Sequence, residues 1–196
     1  MKVTVLGRGN MGAPIAELSR KAGHDVTVVG QDGNAAAAIA AADLVVLALH
    51  FGPAKQVLGN AEVQDALDGK VLIDVTNPLA PDYMSLTIGH ETSAGEVLAD
   101  MVPGARVVKA FNTVFADLLK GQVAGVASPV PVYVAGNDTD ALAKVVSFID
   151  GLGLVAIESG PLSNARYLEP MAELMIQLGY GLGHGANIGF ALVKAA

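Results

Sequence analysis

The sequence predicts an α/β fold, a doubly wound parallel sheet with helices on its faces, and three observations carry that prediction. Strand-like runs alternate with stretches of helical spacing along the 196 residues. Two of the runs, DLVVLAL at 43–49 and VLIDV at 71–75, are almost continuously apolar, as strands buried on both faces must be. The first run closes on Gly7-Arg8-Gly9-Asn10-Met11-Gly12, a G-x-G-x-x-G turn that follows a strand and opens a helix.

Each element follows from local pattern. Residues 2–6 (KVTVL) are a β-rich strand, and 10–22 a helix in which Met11, Ile15, Ala16 and Leu18 recur at helical spacing before Gly23 stops it. Residues 25–29 (DVTVV) form the second strand. Only residues 31–42 then separate it from the third, close to the minimum for a right-handed crossover between parallel strands. Asn34 can cap a short Ala and Ile helix there, and nothing longer fits. Further strands are expected at 106–110, 130–135, 154–158 and 189–193, and helices near 53–58, 91–101, 138–151 and 164–179. No repeat or Pro/Ser-rich linker divides the chain, so 1–196 reads as one domain, with 1–159 as core and 160–196 as a small helix-and-strand extension.

Composition narrows the function. Twelve Lys and Arg against nineteen Asp and Glu give a net charge of −7, which offers no general attraction to nucleic acid or anionic lipid. The absence of cysteine excludes disulfides, thiolate metal sites and a Cys nucleophile. Mean hydropathy is high at +0.48, yet no run approaches the length of a spanning helix. The expectation is a soluble, cytoplasmic protein without nucleic-acid or membrane partners.

The glycine turn gives the binding chemistry. Gly7 permits the tight turn, Gly9 lets a pyrophosphate approach the backbone, and Gly12 lets helix and strand pack. Free N–H groups at the helix start would meet the phosphate charge. At the end of the second strand, where an acid would hold the ribose of NAD, the chain reads Val29-Gly30-Gln31-Asp32-Gly33. The acid is expected at about Gly30 or Gln31, and Asp32 falls later, in an Asp-Gly turn. With no carboxylate placed to repel a 2′-phosphate and Arg8 in the turn, NADP is favoured over NAD. The lesser alternative for Arg8 is a solvated surface charge, while Gln31 can equally be a loop residue or an adenosine contact.

Several segments together resemble a known family. GRGNMG at 7–12, DVTNPL at 74–79, VKAFNTV at 108–114, VAGND at 134–138 and GPLSNARYLEP at 160–170 are similar to the NADP oxidoreductases dependent on coenzyme F420. They are similar as well to the NADPH-binding domain of the six-transmembrane metalloreductases. The resemblance implies a Rossmann-like domain, usually a homodimer, that passes hydride between NADP(H) and a small-molecule redox acceptor: F420, or a flavin such as FMN or FAD. It implies that Gly7, Arg8, Gly9, Asn10 and Met11 hold the pyrophosphate, and that His50 and Phe51 border the path from adenosine to nicotinamide. Thr76, Asn77 and Pro78, with Ala110, Phe111 and Asn112, would line the nicotinamide. The chain departs from the family pattern in having Gln31-Asp32 where members carry a Ser-Arg type of pair, and in its short second crossover.

Hydride transfer between two rings leaves the chemistry to the cofactors and requires no general base. Accordingly no catalytic side chain is assigned, and the four histidines His24, His50, His90 and His184 are too scattered to suggest a metal site. His24 is expected in solvent. Asn112 is either a carboxamide contact or a cap for a helix over 113–120, and Lys109, on the other side of its strand, is as well suited to a structural ion pair as to catalysis. Leu168, Met171, Met175 and Leu178 recur at helical spacing, as core, as dimer contact or as an apolar wall for the acceptor. Two alternatives stand beside this reading. One is an imine or β-hydroxyacid reductase, which shares the GNMG opening but needs a long helical C-terminal domain. The other is a non-catalytic dinucleotide-binding redox sensor.

Overall fold

The structure is a computed structural model that describes residues 1–31, 33–125 and 129–193. Its strands are β1 (Lys2–Leu6), β2 (Asp25–Val29), β3 (Leu44–Leu47), β4 (Val71–Asp74), β5 (Arg106–Lys109), β6 (Pro131–Gly136) and β7 (Val155–Glu158). They make one sheet in the order β2-β1-β3-β4-β5-β6-β7. The helices are α1 (Gly12–Lys21), α2 (Ala35–Ala40), α3 (Phe51–Leu58), α4 (Ala61–Leu67), α5 (Ala94–Met101), α6 (Ala116–Val123), α7 (Thr139–Gly151) and α8 (Ala165–Ile176), the last running into a π turn over Gln177–Gly181.

Side-chain alternation divides the core in two. Leu44 and Val46 of β3 pack into a cluster with Ile15 of α1, Leu119 of α6 and Phe148 of α7. Val45 and Leu47, one residue out of phase, join Ile39 of α2, Leu58 of α3, Leu67 of α4 and Leu98 of α5 on the other face. Both faces of the sheet are therefore covered, as the continuous apolar runs require. Side-chain caps set several helix starts: Asn34 accepts from Ala37 N in α2, Ser93 from Glu96 N in α5 and Asp138 from Ala141 N in α7. The short second crossover is real, with Thr4 Oγ1 donating to Ala38 O at 2.9 Å to tie α2 to β1.

The sheet is not parallel throughout. β1 to β5 are parallel, but β6 runs antiparallel to β5 through two register pairs, Val108 with Gly136 and Lys109 with Ala135, and β7 is parallel to β6. The apolar pattern of a strand carries no direction, so the reversal leaves no trace in periodicity. Residues 189–193 form no strand; Leu192 and Val193 are exposed and pair with no sheet edge. The structure adds α4, capped by Asn60, whose Oδ1 accepts from Glu62 N and Val63 N. It starts α6 at Ala116 after Phe115, so Asn112 is not its cap.

Candidate functional site

Backbone geometry explains two of the three glycines of the turn. Gly7 has φ +111°, and a Cβ there would stand 2.3 Å from the Ala48 carbonyl oxygen. A Cβ at Gly12 would stand 2.0 Å from the Gly7 carbonyl oxygen, so α1 and β1 pack at a distance only glycine allows. Gly9 faces open space. Met11 begins α1 without a side-chain cap, leaving the first N–H groups of a ten-residue helix unclaimed by side chains. This combination suits an anionic group laid against the turn.

Arg8 reaches across to the end of β2. A Cβ at Gly30 would lie 3.1 Å from both Cζ and Nε of Arg8, so the bare glycine makes room for the guanidinium. Gln31 beside it is exposed, and Asp32 lies outside the described residues. His50 caps α3 by backbone only, is exposed, and has its ring centroid 5.9 Å from that of Tyr83. Phe51, on the next residue, carries Lys55 Nζ at 4.8 Å from its ring centroid.

At the carboxyl ends of β4 and β5 two asparagines pair reciprocally. Asn77 Nδ2 donates to Asn112 O at 2.9 Å, and Asn112 Nδ2 donates to Asn77 Oδ1 at 3.0 Å and to Leu168 O at 3.0 Å. Asn112 Oδ1, Thr76 Oγ1 and Thr113 Oγ1 are buried with no partner. Buried polar atoms are rarely left so, and of these three residues Asn112 also lines a cleft. A cleft of about 470 Å³ opens here. Met11 of the glycine turn and the pair Asn77 and Asn112 border it, as do Ala172, Met175 and Ile176 of α8. Phe111, Phe115, Tyr180 and residues 82–84 are also among its lining, and Asp82 is the one charged side chain there.

Beneath the cleft lies a buried ion triad. Lys109 Nζ is 2.9 Å from Asp74 Oδ2 and 2.8 Å from Glu169 Oε1, and all three side chains are essentially inaccessible. Burial by itself pushes the Lys109 ammonium down, but the two carboxylates outweigh it and hold the group above its ordinary value. The excess negative charge meets the start of α5: Glu169 accepts from Ala94 N at 2.9 Å and Gly95 N at 3.0 Å. Lys109 also donates to Thr76 O at 2.5 Å, and Asp74 Oδ1 accepts from Thr76 N at 2.8 Å. The triad thus fixes α8, which forms one wall of the cleft, to the strand ends that form another. A second clamp joins the same helices, with Arg166 NH2 donating to Glu96 Oε1 at 2.6 Å.

The structure therefore brings Met11, Asn77 and Asn112 to one cleft, and Arg8 and Gly30 together at the far end of the turn. Thr76 and Pro78 are buried behind the cleft, and Ala110 belongs to the core, with Phe111 taking the lining position beside it. Lys109 is the structural ion pair. Of the α8 stripe, Met175 lines the cleft while Leu168 is core. Glu169 and Tyr83 were not singled out by sequence. Glu169 does carry a signal, a carboxylate on the same helical face as Leu168, Ala172 and Met175. Among the described residues no group of three or more His, Cys, Asp or Glu could hold a metal ion, and no helix is long and apolar enough to cross a membrane.

Comparison with known proteins adds four findings. A family model described as NADP oxidoreductase, coenzyme F420-dependent, matches residues 30–78. The F420-dependent NADP reductase of Methanothermobacter thermautotrophicus is 32% identical over 91% of this chain and 89% of its own. Metalloreductase STEAP3 of Rattus norvegicus is 32% identical over 54% of this chain and 20% of its own. Among solved structures, a candidate F420-dependent NADP-reductase from Arthrobacter sp. FB24 superposes with a TM-score of 0.87 at 29% identity, covering 99% of this chain and all of that one.

Proposed function

Because the chain belongs to the family of NADP oxidoreductases dependent on coenzyme F420, we propose that it passes hydride between NADPH and a deazaflavin or flavin ring bound in the cleft. As a member of that family it is an NADP-dependent oxidoreductase. The observation that carries the finer reading is the cleft itself. It is mostly apolar, touches the glycine turn through Met11, and is lined by the paired Asn77 and Asn112, whose Oδ1 is buried without a partner.

NADPH, when bound, supplies the hydride, and the acceptor ring takes it up. The residues of this chain bind, orient and exclude water. Gly7 to Gly12 offer a bare turn and an uncapped helix start to the pyrophosphate. Arg8, lying over Gly30, offers a guanidinium to a 2′-phosphate. Asn112 Oδ1 can accept from the amide of a nicotinamide, its side chain held in place by its own two donated bonds. Phe111, Phe115 and Met175 keep water from the place where the rings would meet. The acceptor ring takes up a proton with the hydride, and solvent supplies it.

The reading extends to a cytoplasmic homodimer. Tyr167 and Leu174, seven residues apart on α8, are exposed and offer an apolar face to a second copy, which sedimentation would detect. The test of function is anaerobic mixing of the protein with NADPH and, in turn, F420, FMN or FAD, followed by absorbance. Oxidation of NADPH with at least one acceptor is the expected result; saturable NADPH binding without turnover on any of them would sink the proposal.

A further inference from the structure

The connection from β4 to α5 carries a small flap whose tip is a strained tyrosine. Leu79 bridges Leu86, Ala80 N donates to Ser85 O at 2.8 Å, and Thr87 N donates to Pro78 O at 2.7 Å, closing residues 78–87 like a hairpin. The tip is tied down on both sides. Asp82 Oδ1 accepts from Met84 N at 3.0 Å, and Gln177 Nε2, from the π turn after α8, donates to Met84 O at 2.7 Å. Between these ties Tyr83 has φ +61°, a left-handed conformation that suits glycine and is unfavourable for an aromatic residue.

Packing does not explain that conformation. The Tyr83 side chain is half exposed, touching only the His50 ring at 5.9 Å among aromatic neighbours. Phe111, also left-handed at φ +66° and also on the cleft, is fully buried, so its core contacts account for it. His90 is left-handed and exposed too but does not line the cleft, so what sets Tyr83 apart is a strained backbone that coincides with a place on the cleft border. What it carries is a ring on the border of the cleft, with the apolar Met175 and Ile176 lining the same space. Flat apolar clefts with aromatic borders take planar ring systems.

We propose that Tyr83, held at the flap tip by a strained backbone, is the residue that selects the redox acceptor, packing its ring on the planar ring system bound in the cleft. This rests on the reading of the cleft as the acceptor site. Selection then lies in the flap and not in the nucleotide turn, so changes at Tyr83 alter acceptor use far more than NADPH binding.

The test compares Tyr83→Gly, Tyr83→Ala and Tyr83→Phe with the unaltered protein. It measures melting temperature, NADPH affinity, kcat and KM with F420 and with FMN, and direct binding of both acceptors to NADP+-saturated protein. Glycine relieves the strain, so Tyr83→Gly should melt no lower than the unaltered protein, while its KM and dissociation constant for the acceptor rise about tenfold, the size of a lost ring contact. NADPH affinity should stay within about twofold, and Tyr83→Phe, which keeps the ring, should stay within about twofold on every measure. Unchanged acceptor binding in Tyr83→Gly and Tyr83→Ala would overturn the proposal, as would a joint fall of melting temperature, NADPH affinity and acceptor affinity, the signature of mere packing. If the unaltered protein neither binds nor turns over F420 or FMN, the acceptor reading itself fails, and Tyr83 with it.

Discussion

The phosphate turn and the cleft stand at opposite ends of Met11 and are built by opposite means. At the turn, Gly7, Gly9 and Gly12 present bare backbone, and the positions that matter lie within six consecutive residues. At the cleft, side chains do the positioning, and they come from β4, β5, α5 and α8. Asn77 and Asn112 are 35 residues apart, and Ala94 and Glu169 are 75. The turn admits only glycine at positions 7 and 12, where a side chain would collide with a carbonyl. The cleft is rigid because charges buried together cannot be separated cheaply. One region therefore fails by addition of an atom, the other by loss of a charge.

The sharpest way to break the contrast is at Lys109. Lys109→Met strands Asp74 and Glu169 in the core, and about 3–5 kcal/mol of stability should be lost in denaturant unfolding. Neutralising Asp74 as well, with Asp74→Asn, should recover part of it, because Glu169 keeps its two backbone N–H donors at the start of α5 and the Asn oxygen can still accept from Thr76 N. A double variant as unstable as the single one would mean that lysine packing, and not charge, is what matters.

At the turn the effect is smaller and confined to binding. Arg8→Ala should weaken NADPH by about tenfold or more, with NADH little changed, because a charge-assisted contact is removed from one ligand only. Equal weakening of both nucleotides, measured by titration, would take Arg8 away from the 2′-phosphate.

The smallest effect concerns the outer clamp of α8. Arg166, hydrogen-bonded to Glu96, holds that carboxyl below its ordinary value of 4.5 despite partial burial. A carboxyl lowered in the folded state contributes stability above its unfolded value and loses it as pH falls through the folded one. Acid unfolding should therefore begin below about pH 4.5 for this pair. Arg166→Gln should flatten that limb by less than about 1 kcal/mol, as the pair is partly solvated. An unchanged acid limb in chemical denaturation would show that the clamp is electrostatically idle.

The same contrast explains what could be read from sequence. The turn, the short crossover and the caps Asn34 and Asp138 depend on neighbours a few residues away, and local pattern reveals them. The start of α5 at Ala94 was expected near 91, and α4 was passed over although Asn60 and Glu62 carry the signal of a capped helix start. The direction of β6 and the unpaired course of residues 189–193 depend on which edge is available in the folded sheet, which no local pattern contains. Glu169 was visible as a charge on an apolar helical face, but its partners were not. Tyr83 gives no such signal, since its place on the cleft border arises only when the flap meets the π turn after α8.

The brevity of α2 has a consequence in solution conditions. A six-residue helix leaves little wall at the end of β2, so the proposed nucleotide grip there rests on an exposed guanidinium over Gly30 and an exposed Gln31. Exposed charge is screened by salt, with a Debye length of about 8 Å at physiological ionic strength. The buried triad under the cleft feels no such screening. Rising ionic strength should therefore loosen the nucleotide's outer end while the acceptor's pocket keeps its shape, which makes salt a dial that acts on one substrate of the pair and spares the other.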